Sequence, residues 1–113
     1  MNKFIALYCL PSTTLADWMK KPVEERQAAE ATMQTAWQAW SAAQGAALHL
    51  TAAAGKSTRV TSSGPAEQPN DLMMYSIVEA ADKEAATKMF VGHPHLEIPG
   101  AWIDVMPANK MGM

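Results

Sequence analysis

The chain has 113 residues and a mass of 12.2 kDa, a length that accommodates one domain around a single hydrophobic core. Apolar residues make up 49% of the chain and charged residues 18%, which excludes an intrinsically disordered protein. The formal net charge of -2, without a concentrated basic segment, argues against a nucleic-acid partner, and no apolar run has the length of a membrane span.

The cysteine content and the N-terminus indicate the compartment. The chain has a single cysteine, Cys9, which can form neither an intrachain disulfide nor a thiolate zinc cluster. The apolar stretch over residues 4–10 is short for the core of a signal peptide. We therefore expect a cytoplasmic protein with one domain over residues 1–113 and no membrane association.

The first half of the chain predicts a strand, two helices and a second strand. Thr14 and Asp17 have the spacing of a helix start, and Pro22 is tolerated at the first position of the next helix. Gly45 is placed to end that helix in the left-handed conformation. The predicted elements, in chain order, are a strand over residues 3–10, a short helix containing Leu15, Trp18 and Met19, a long helix over residues 22–44 and a strand over residues 47–53.

The second half predicts strands around one more helix. The segment over residues 63–71 is rich in Gly, Pro and Asn, which is typical of a loop. Asp82 is a favourable N-cap for the helix that follows it. The predicted elements are a weak strand over residues 58–62, the loop, a strand over residues 72–79, a helix over residues 83–91, a strand over residues 101–106 and a frayed tail from residue 108.

The apolar pattern of the strands predicts a homodimer. Strand, helix, strand, strand, helix, strand is the order of a ferredoxin-like α+β fold, with a four-stranded antiparallel sheet and both main helices on one face. The strands over residues 3–10 and 72–79 carry apolar side chains on both faces, so the pattern does not decide which face meets the helices. Because helices cover only one face, we expect a second copy to pack sheet to sheet against the other.

Several segments resemble the YCII-related proteins, also called the DGPF type. The similarity covers most of the chain and is most distinctive at its end. It is carried by Ser63-Gly64-Pro65-Ala66-Glu67, by Tyr75-Ser76-Ile77-Val78-Glu79-Ala80, by residues 82–90, by Gly92-His93-Pro94-His95-Leu96 and by residues 99–107. The resemblance implies a ferredoxin-like fold that dimerises into an α+β barrel.

The chain departs from the family pattern at the positions that carry its chemistry. The Asp-Gly-Pro-Phe motif is replaced by Ser63-Gly64-Pro65-Ala66, which lacks the acidic and aromatic members. The namesake members pair a His on the long helix with an Asp in an Asp-Pro loop. Here the long helix has no His and the loop reads His93-Pro94. The resemblance therefore implies architecture rather than activity.

Three residues are the candidates for catalysis. His93 and His95 flank Pro94 in a loop. Because an imidazole titrates near neutral pH, either residue can serve as acid, base or ligand. Asp104 lies in the middle of the last strand and would need a partner if the dimer buries it. An Asp–His pair could move a proton on a small carbonyl compound. The alternatives are a His that caps the second main helix and an Asp104 that faces water.

Four further residues are candidates for binding a small aromatic or carbonyl metabolite in an apolar cleft. They are His49, Tyr75, Trp102 and Met106, for which packing in the core or interface is the alternative. Trp37 and Trp40 are expected to pack in the core. We expect no metal, because two imidazoles are too few ligands for a zinc site, and no cofactor. The competing functions are a non-catalytic metabolite-binding or protein-interaction module and, by analogy with other dimeric α+β barrels, a cofactor-free oxygenase.

Overall fold

The computed structural model describes residues 1–109, so the predicted fraying of the last residues, 110–113, lies outside the described residues. Helical turns of the 3-10 type occupy Gly45–Ala47 and Pro94–Glu97. The strands are β1 (Asn2–Cys9), β2 (Leu48–Ala53), β3 (Ser57–Thr61), β4 (Gly64–Gln68), β5 (Leu72–Ala80) and β6 (Trp102–Pro107), and the helices are α1 (Ser12–Met19), α2 (Val23–Gln44) and α3 (Lys83–Lys88).

Four strands form the main antiparallel sheet, in the order β2-β5-β1-β6. Helix α2 connects β1 to β2, and α3 connects β5 to β6. This arrangement confirms the predicted α+β class and is compatible with a ferredoxin-like fold. Gly45 follows α2, as predicted for the residue that ends the helix, and its φ of 57° is positive, but its ψ of -133° differs from the predicted left-handed helical conformation. No helix in the described part of the chain is long and apolar enough to cross a membrane.

The predicted loop over residues 63–71 is wrong for its first half, because Gly64–Gln68 forms strand β4 and pairs with β3. The two strands make a separate two-stranded sheet, joined by a two-residue turn between Thr61 and Gly64. Gly64 begins β4 with φ of 105°, which only glycine adopts without strain. The Pro and Gly residues are compatible with a strand here because each strand of a two-stranded sheet is an edge strand.

The ends of the two short helices also differ from the prediction. Helix α1 begins at Ser12 without a side-chain cap of its own, and the Asp71 carboxylate accepts the Ser12 backbone N–H at 3.0 Å instead. Thr14 lies inside the helix rather than before it. Helix α3 ends at Lys88, three residues before the predicted end. Its predicted cap is confirmed, since the Asp82 carboxylate accepts the Ala85 N–H at 2.8 Å.

The core lies between the main sheet and helices α2 and α3. Strand β1 buries Phe4, Ala6 and Tyr8 on this face, and β5 adds Ser76 and Val78. Strand β1 therefore shows a period of two, with its alternate side chains fully buried. The packing against these residues comes from α2, from α3 and from the segment after α3, namely Trp37, Trp40, Ala86, Met89 and Phe90. The expectation that both tryptophans pack in the core is confirmed.

A chain of three hydroxyl groups crosses this core. The Ser76 Oγ lies 2.7 Å from the Tyr8 hydroxyl and 2.7 Å from Thr51 Oγ1, so each hydroxyl has a partner. Burial raises the pKa of Tyr8 to about 12, although the bond from Ser76 acts in the opposite direction. The network joins the three strands β1, β5 and β2 through a buried bond between Tyr8 and Ser76 and a partly buried bond between Ser76 and Thr51.

The opposite face of the sheet is apolar and uncovered within one chain. Alternate side chains of β1 and β5, such as Ile5, Leu7 and Ile77, are only partly buried there, and Leu50 of β2 is 45% exposed. The molecule is 19 Å thick, which corresponds to one sheet layer and one helix layer of about 10 Å each. We call this surface the open face. The apolar pattern on both sides of the strands is thus confirmed.

Candidate functional site

His93 lies in an aromatic cage formed by Tyr8, Trp37 and Trp40. The loop after α3 brings it there, where it precedes the 3-10 turn Pro94–Glu97. The imidazole is 1% exposed, and its centroid lies 4.4 Å from each of the two indoles and 5.0 Å from the Tyr8 ring. Both indole planes are steeply inclined to the imidazole, at 83° and 68°, an edge-to-face arrangement.

The surroundings of His93 keep its ring neutral. Its Nδ1 accepts the backbone N–H of His95 at 3.0 Å, so the neutral ring carries its proton on Nε2. Nε2 has no hydrogen-bond partner among the described residues. Burial, with a smaller effect of the neighbouring His95, lowers the pKa of His93 to about 4. His93 therefore acts as an uncharged, enclosed packing residue at neutral pH.

His95 fixes the same loop to the sheet. It is 3% exposed, and its Nε2 donates to the backbone carbonyl of Cys9 at 2.8 Å. Burial, followed by the charges of Asp104 and Asp71, raises the pKa of the Cys9 thiol, which makes this cysteine less reactive. Because Pro94–Glu97 is a turn, the two imidazoles take different partners, and neither donates to a carbonyl of α3.

Asp104 lies on the open face of the sheet and makes no hydrogen bond with either imidazole. It is exposed on the edge strand β6, opposite Leu7 of β1. Its Oδ2 accepts a hydrogen bond from Trp102 Nε1 at 3.2 Å, and neither His93 nor His95 is bonded to it. The structure therefore does not join the three predicted catalytic residues into a proton-transfer group, and Asp104 has the water-facing position that was the alternative.

The four predicted ligand-binding residues share the open face. Trp102 and Met106 are 37% and 36% exposed on β6, and Tyr75 is partly buried on β5. His49 lies beside an irregularity in β2, and its Nε2 is 3.3 Å from Glu79 Oε2. These side chains form a broad apolar surface with polar groups at its margins, rather than a cleft.

The cleft with the most apolar wall lies elsewhere, between α1, the first half of α2 and the segment after the 3-10 turn. We call it the α1 cleft. Its volume is about 610 Å³, within the range of small-molecule sites. The four charged residues at its border, Asp17, Lys21, Glu30 and Glu97, are all exposed. Its apolar wall is formed by Leu10, Leu15, Trp18, Met19, Ala29, Met33, Met73, Ile98 and Pro99.

A second, more polar depression lies on the other side of Leu15 and Met73. It has a volume of about 660 Å³ and extends to the β3–β4 hairpin. Lys56, Glu67 and Asn70 contribute polar groups to its wall. Since Leu15 and Met73 line both cavities, α1 lies between an apolar and a polar recess, and the apolar recess is better suited to exclude water from a ligand.

Sequence reasoning did not identify the residues of the α1 cleft. Leu15, Trp18 and Met19 were predicted to share a short helix, and no described residue of that helix is buried. Helix α2 contains no buried residue either. Helix α1 contains more apolar residues than is usual for a helix exposed to water on all sides, which indicates that they line a recess. Their spacing gives no information on which recess they border.

The chain matches no protein-family model and no curated protein sequence. Within the described residues, no group of three His, Cys, Asp or Glu side chains is placed to hold a metal ion. The site must therefore be interpreted from its own geometry.

Proposed function

We propose that this protein is a YCII-related binding protein that holds a small aromatic or carbonyl compound in the α1 cleft and acts as a homodimer. The observation that carries the proposal is the α1 cleft itself, an apolar recess of about 610 Å³ in a chain of only 113 residues. Recesses of this size with a mainly apolar wall and few polar groups are the usual form of small-molecule sites.

The wall of the α1 cleft suggests the class of ligand. Trp18 offers a ring for stacking, and Met33 and Met73 offer polarisable thioethers that adapt to flat apolar molecules. The Thr14 hydroxyl can donate to a carbonyl oxygen, and the Lys21 ammonium lies 5.4 Å from the Trp18 ring centroid at the border. An aromatic ring that carries a carbonyl group satisfies both kinds of contact.

Binding without catalysis is supported better than proton transfer. The α1 cleft contains none of His93, His95 and Asp104. A general base must reach the proton that it removes, directly or through one water. His93 is enclosed by the aromatic cage and His95 is occupied by the carbonyl of Cys9, so neither imidazole is available to a ligand. This favours the metabolite-binding module, the alternative to an enzyme.

The homodimer is supported by the open face. Its large apolar side chains would stay in contact with water in a monomer, and such surfaces usually mark an interface. The radius of gyration of one chain is 15.9 Å, above the roughly 13 Å typical of a compact domain of this length. Packing of two open faces would give the α+β barrel that the YCII resemblance implies. A dimer of about twice 12.2 kDa by light scattering is the expected result.

The ligand proposal is tested with acetophenone, an aromatic carbonyl compound, by mapping amide shifts in two-dimensional NMR spectra. We expect millimolar or tighter binding, of the order that about nine ligand atoms allow, with shifts in α1 and near Ile98. Met33→Trp fills the α1 cleft and should abolish these shifts. Val91→Trp adds the same ring at a position that is 76% exposed outside the cleft, and it should leave them intact.

Two results would overturn the ligand proposal. One is a set of shifts that Met33→Trp leaves unchanged, since the compound would then bind outside the α1 cleft. The other is an absence of specific shifts at 10 mM acetophenone, because roughly 10 mM is the weakest dissociation constant that a site of this kind should show. Light scattering on the unliganded protein tests the homodimer separately, so the two parts of the proposal fail independently.

A further inference from the structure

We infer that the open faces of two copies pack about a two-fold axis parallel to the strands, so that Lys3 of each copy forms an ion pair with Glu79 of the other. This inference rests on the proposed homodimer and not on the proposed ligand. It assigns the orientation of the two sheets and two specific contacts.

The strand register arranges the open face in rows. Lys3 of β1 pairs with Glu79 of β5 in the first row, at one end of the sheet. The two rows that follow are mainly apolar. The second row, from β2 to β6, is Leu50, Ile77, Ile5 and Met106, and the third row is Ala52, Tyr75, Leu7 and Asp104.

A two-fold axis parallel to the strands, between β1 and β5, keeps each row in place and exchanges the strands. Strand β1 then lies on β5 of the partner, and β2 lies on β6. Lys3 faces the partner's Glu79, and Glu79 faces the partner's Lys3, which gives two equivalent ion pairs. In the apolar rows, Ile5 lies against the partner's Ile77. The charges are therefore self-complementary in this orientation.

The alternative axis, perpendicular to the strands, reverses the rows and lays each strand on its own counterpart. Lys3 would then lie at the level of the partner's Cys9, at the far end of β1, and no longer directly opposite the partner's Glu79. Lys3 would keep the Glu79 beside it on its own chain, but it would not gain the opposite charge that the parallel axis places across the interface. Charge complementarity thus selects the parallel axis between the two ways of stacking these sheets in line.

The sizes of the side chains on the edge strands also favour the axis parallel to the strands. In the parallel orientation, the third row places Asp104 opposite the partner's Ala52, which is small. Asp104 lies on the edge strand β6, so it remains at the rim and can keep its hydrogen bond from Trp102. The Trp102 ring needs room beyond Asp104, and the partner's residues 52–54 in this region are all alanine.

The test mixes two variants with opposite charge reversals. In Lys3→Glu alone, the introduced carboxylate of each copy would lie against the partner's Glu79, and in Glu79→Lys alone two ammonium groups would meet. We expect each single variant to raise the dimer dissociation constant at least about tenfold. When the two variants are mixed, both contacts become attractive in the heterodimer. With one variant labelled with nitrogen-15, native mass spectrometry should show heterodimers well above the statistical share of about half.

A matched pair of reversals on α3 is the control. Lys88 and Glu84 form an exposed ion pair on that helix, away from the open face. A mixture of Lys88→Glu and Glu84→Lys should give the statistical share, because these residues do not meet across the interface. A statistical share for the Lys3 and Glu79 variants as well would overturn the assigned axis. A monomeric wild-type protein would overturn the homodimer itself, which light scattering distinguishes from a wrong axis.

Discussion

Protonation of His93 should make the protein less stable in mild acid. Its pKa is about 4 in the folded protein, compared with 6.5 for the unperturbed side chain. Between these two values the unfolded chain binds a proton on this residue and the folded chain does not. The free energy of unfolding therefore falls as the pH decreases from about 6.5 to about 4, by about 3 kcal/mol, and lower pH gives no further loss from this group.

His93→Phe isolates this effect, because phenylalanine fits an aromatic cage but cannot be protonated. We expect its free energy of unfolding to lose about 3 kcal/mol less than that of the wild type over the same pH range. At pH 7 the variant should be less stable by about 1 kcal/mol, since the His95 N–H loses its acceptor. Urea denaturation between pH 7 and 4, at one fixed protein concentration, measures both quantities.

Trp37→Phe is the matched control for this experiment. It loosens the same cage and should lower the stability at every pH, but it leaves the titrating imidazole in place. We therefore expect its stability to depend on pH as that of the wild type does. Parallel pH profiles for the wild type and His93→Phe would refute the reasoning, because the acid sensitivity would then come from other groups.

Three further predictions concern stability and are read from urea denaturation midpoints. Ser76→Ala removes the middle of the hydroxyl chain and should cost about 1–3 kcal/mol, because the buried Tyr8 hydroxyl loses its partner; a cost near zero would mean that water replaces it. Asp82→Ala should cost about 1 kcal/mol through the lost N-cap of α3, and an unchanged midpoint would contradict that role. Gly45→Ala should cost about 1 kcal/mol because of the positive φ, whereas Gly55→Ala should be tolerated; equal effects would argue against strain.

The main sheet was predicted well because the residues of its strands indicate a strand without information from the rest of the chain. Apolar and β-branched residues marked β1 and β5 without reference to the rest of the chain. Strand β4 was missed because Gly64 and Pro65 are typical of loops, and nothing local shows that they lie in an isolated hairpin. The start of α1 was mistaken for a similar reason, since its cap comes from Asp71, a residue far away in the chain.

The candidate site was predictable only as a set of reactive residues. The sequence indicates His93 as a candidate because an imidazole can accept or donate a proton near neutral pH. Its enclosure, however, depends on Tyr8, Trp37 and Trp40, which come from β1 and α2. Sequence spacing cannot show that these side chains converge. The α1 cleft is a comparable case, because it depends on the angle between a short exposed helix and α2, which apolar periodicity does not determine.

The β3–β4 hairpin shares no strand with the main sheet, and almost all of its residues are exposed. Its strands can separate without exposing the core, so its backbone amides should exchange with deuterated solvent well before those of β1 and β5. The two-residue turn at its tip is consequently a place where extra residues can be inserted, such as a short epitope, while the main sheet keeps its register.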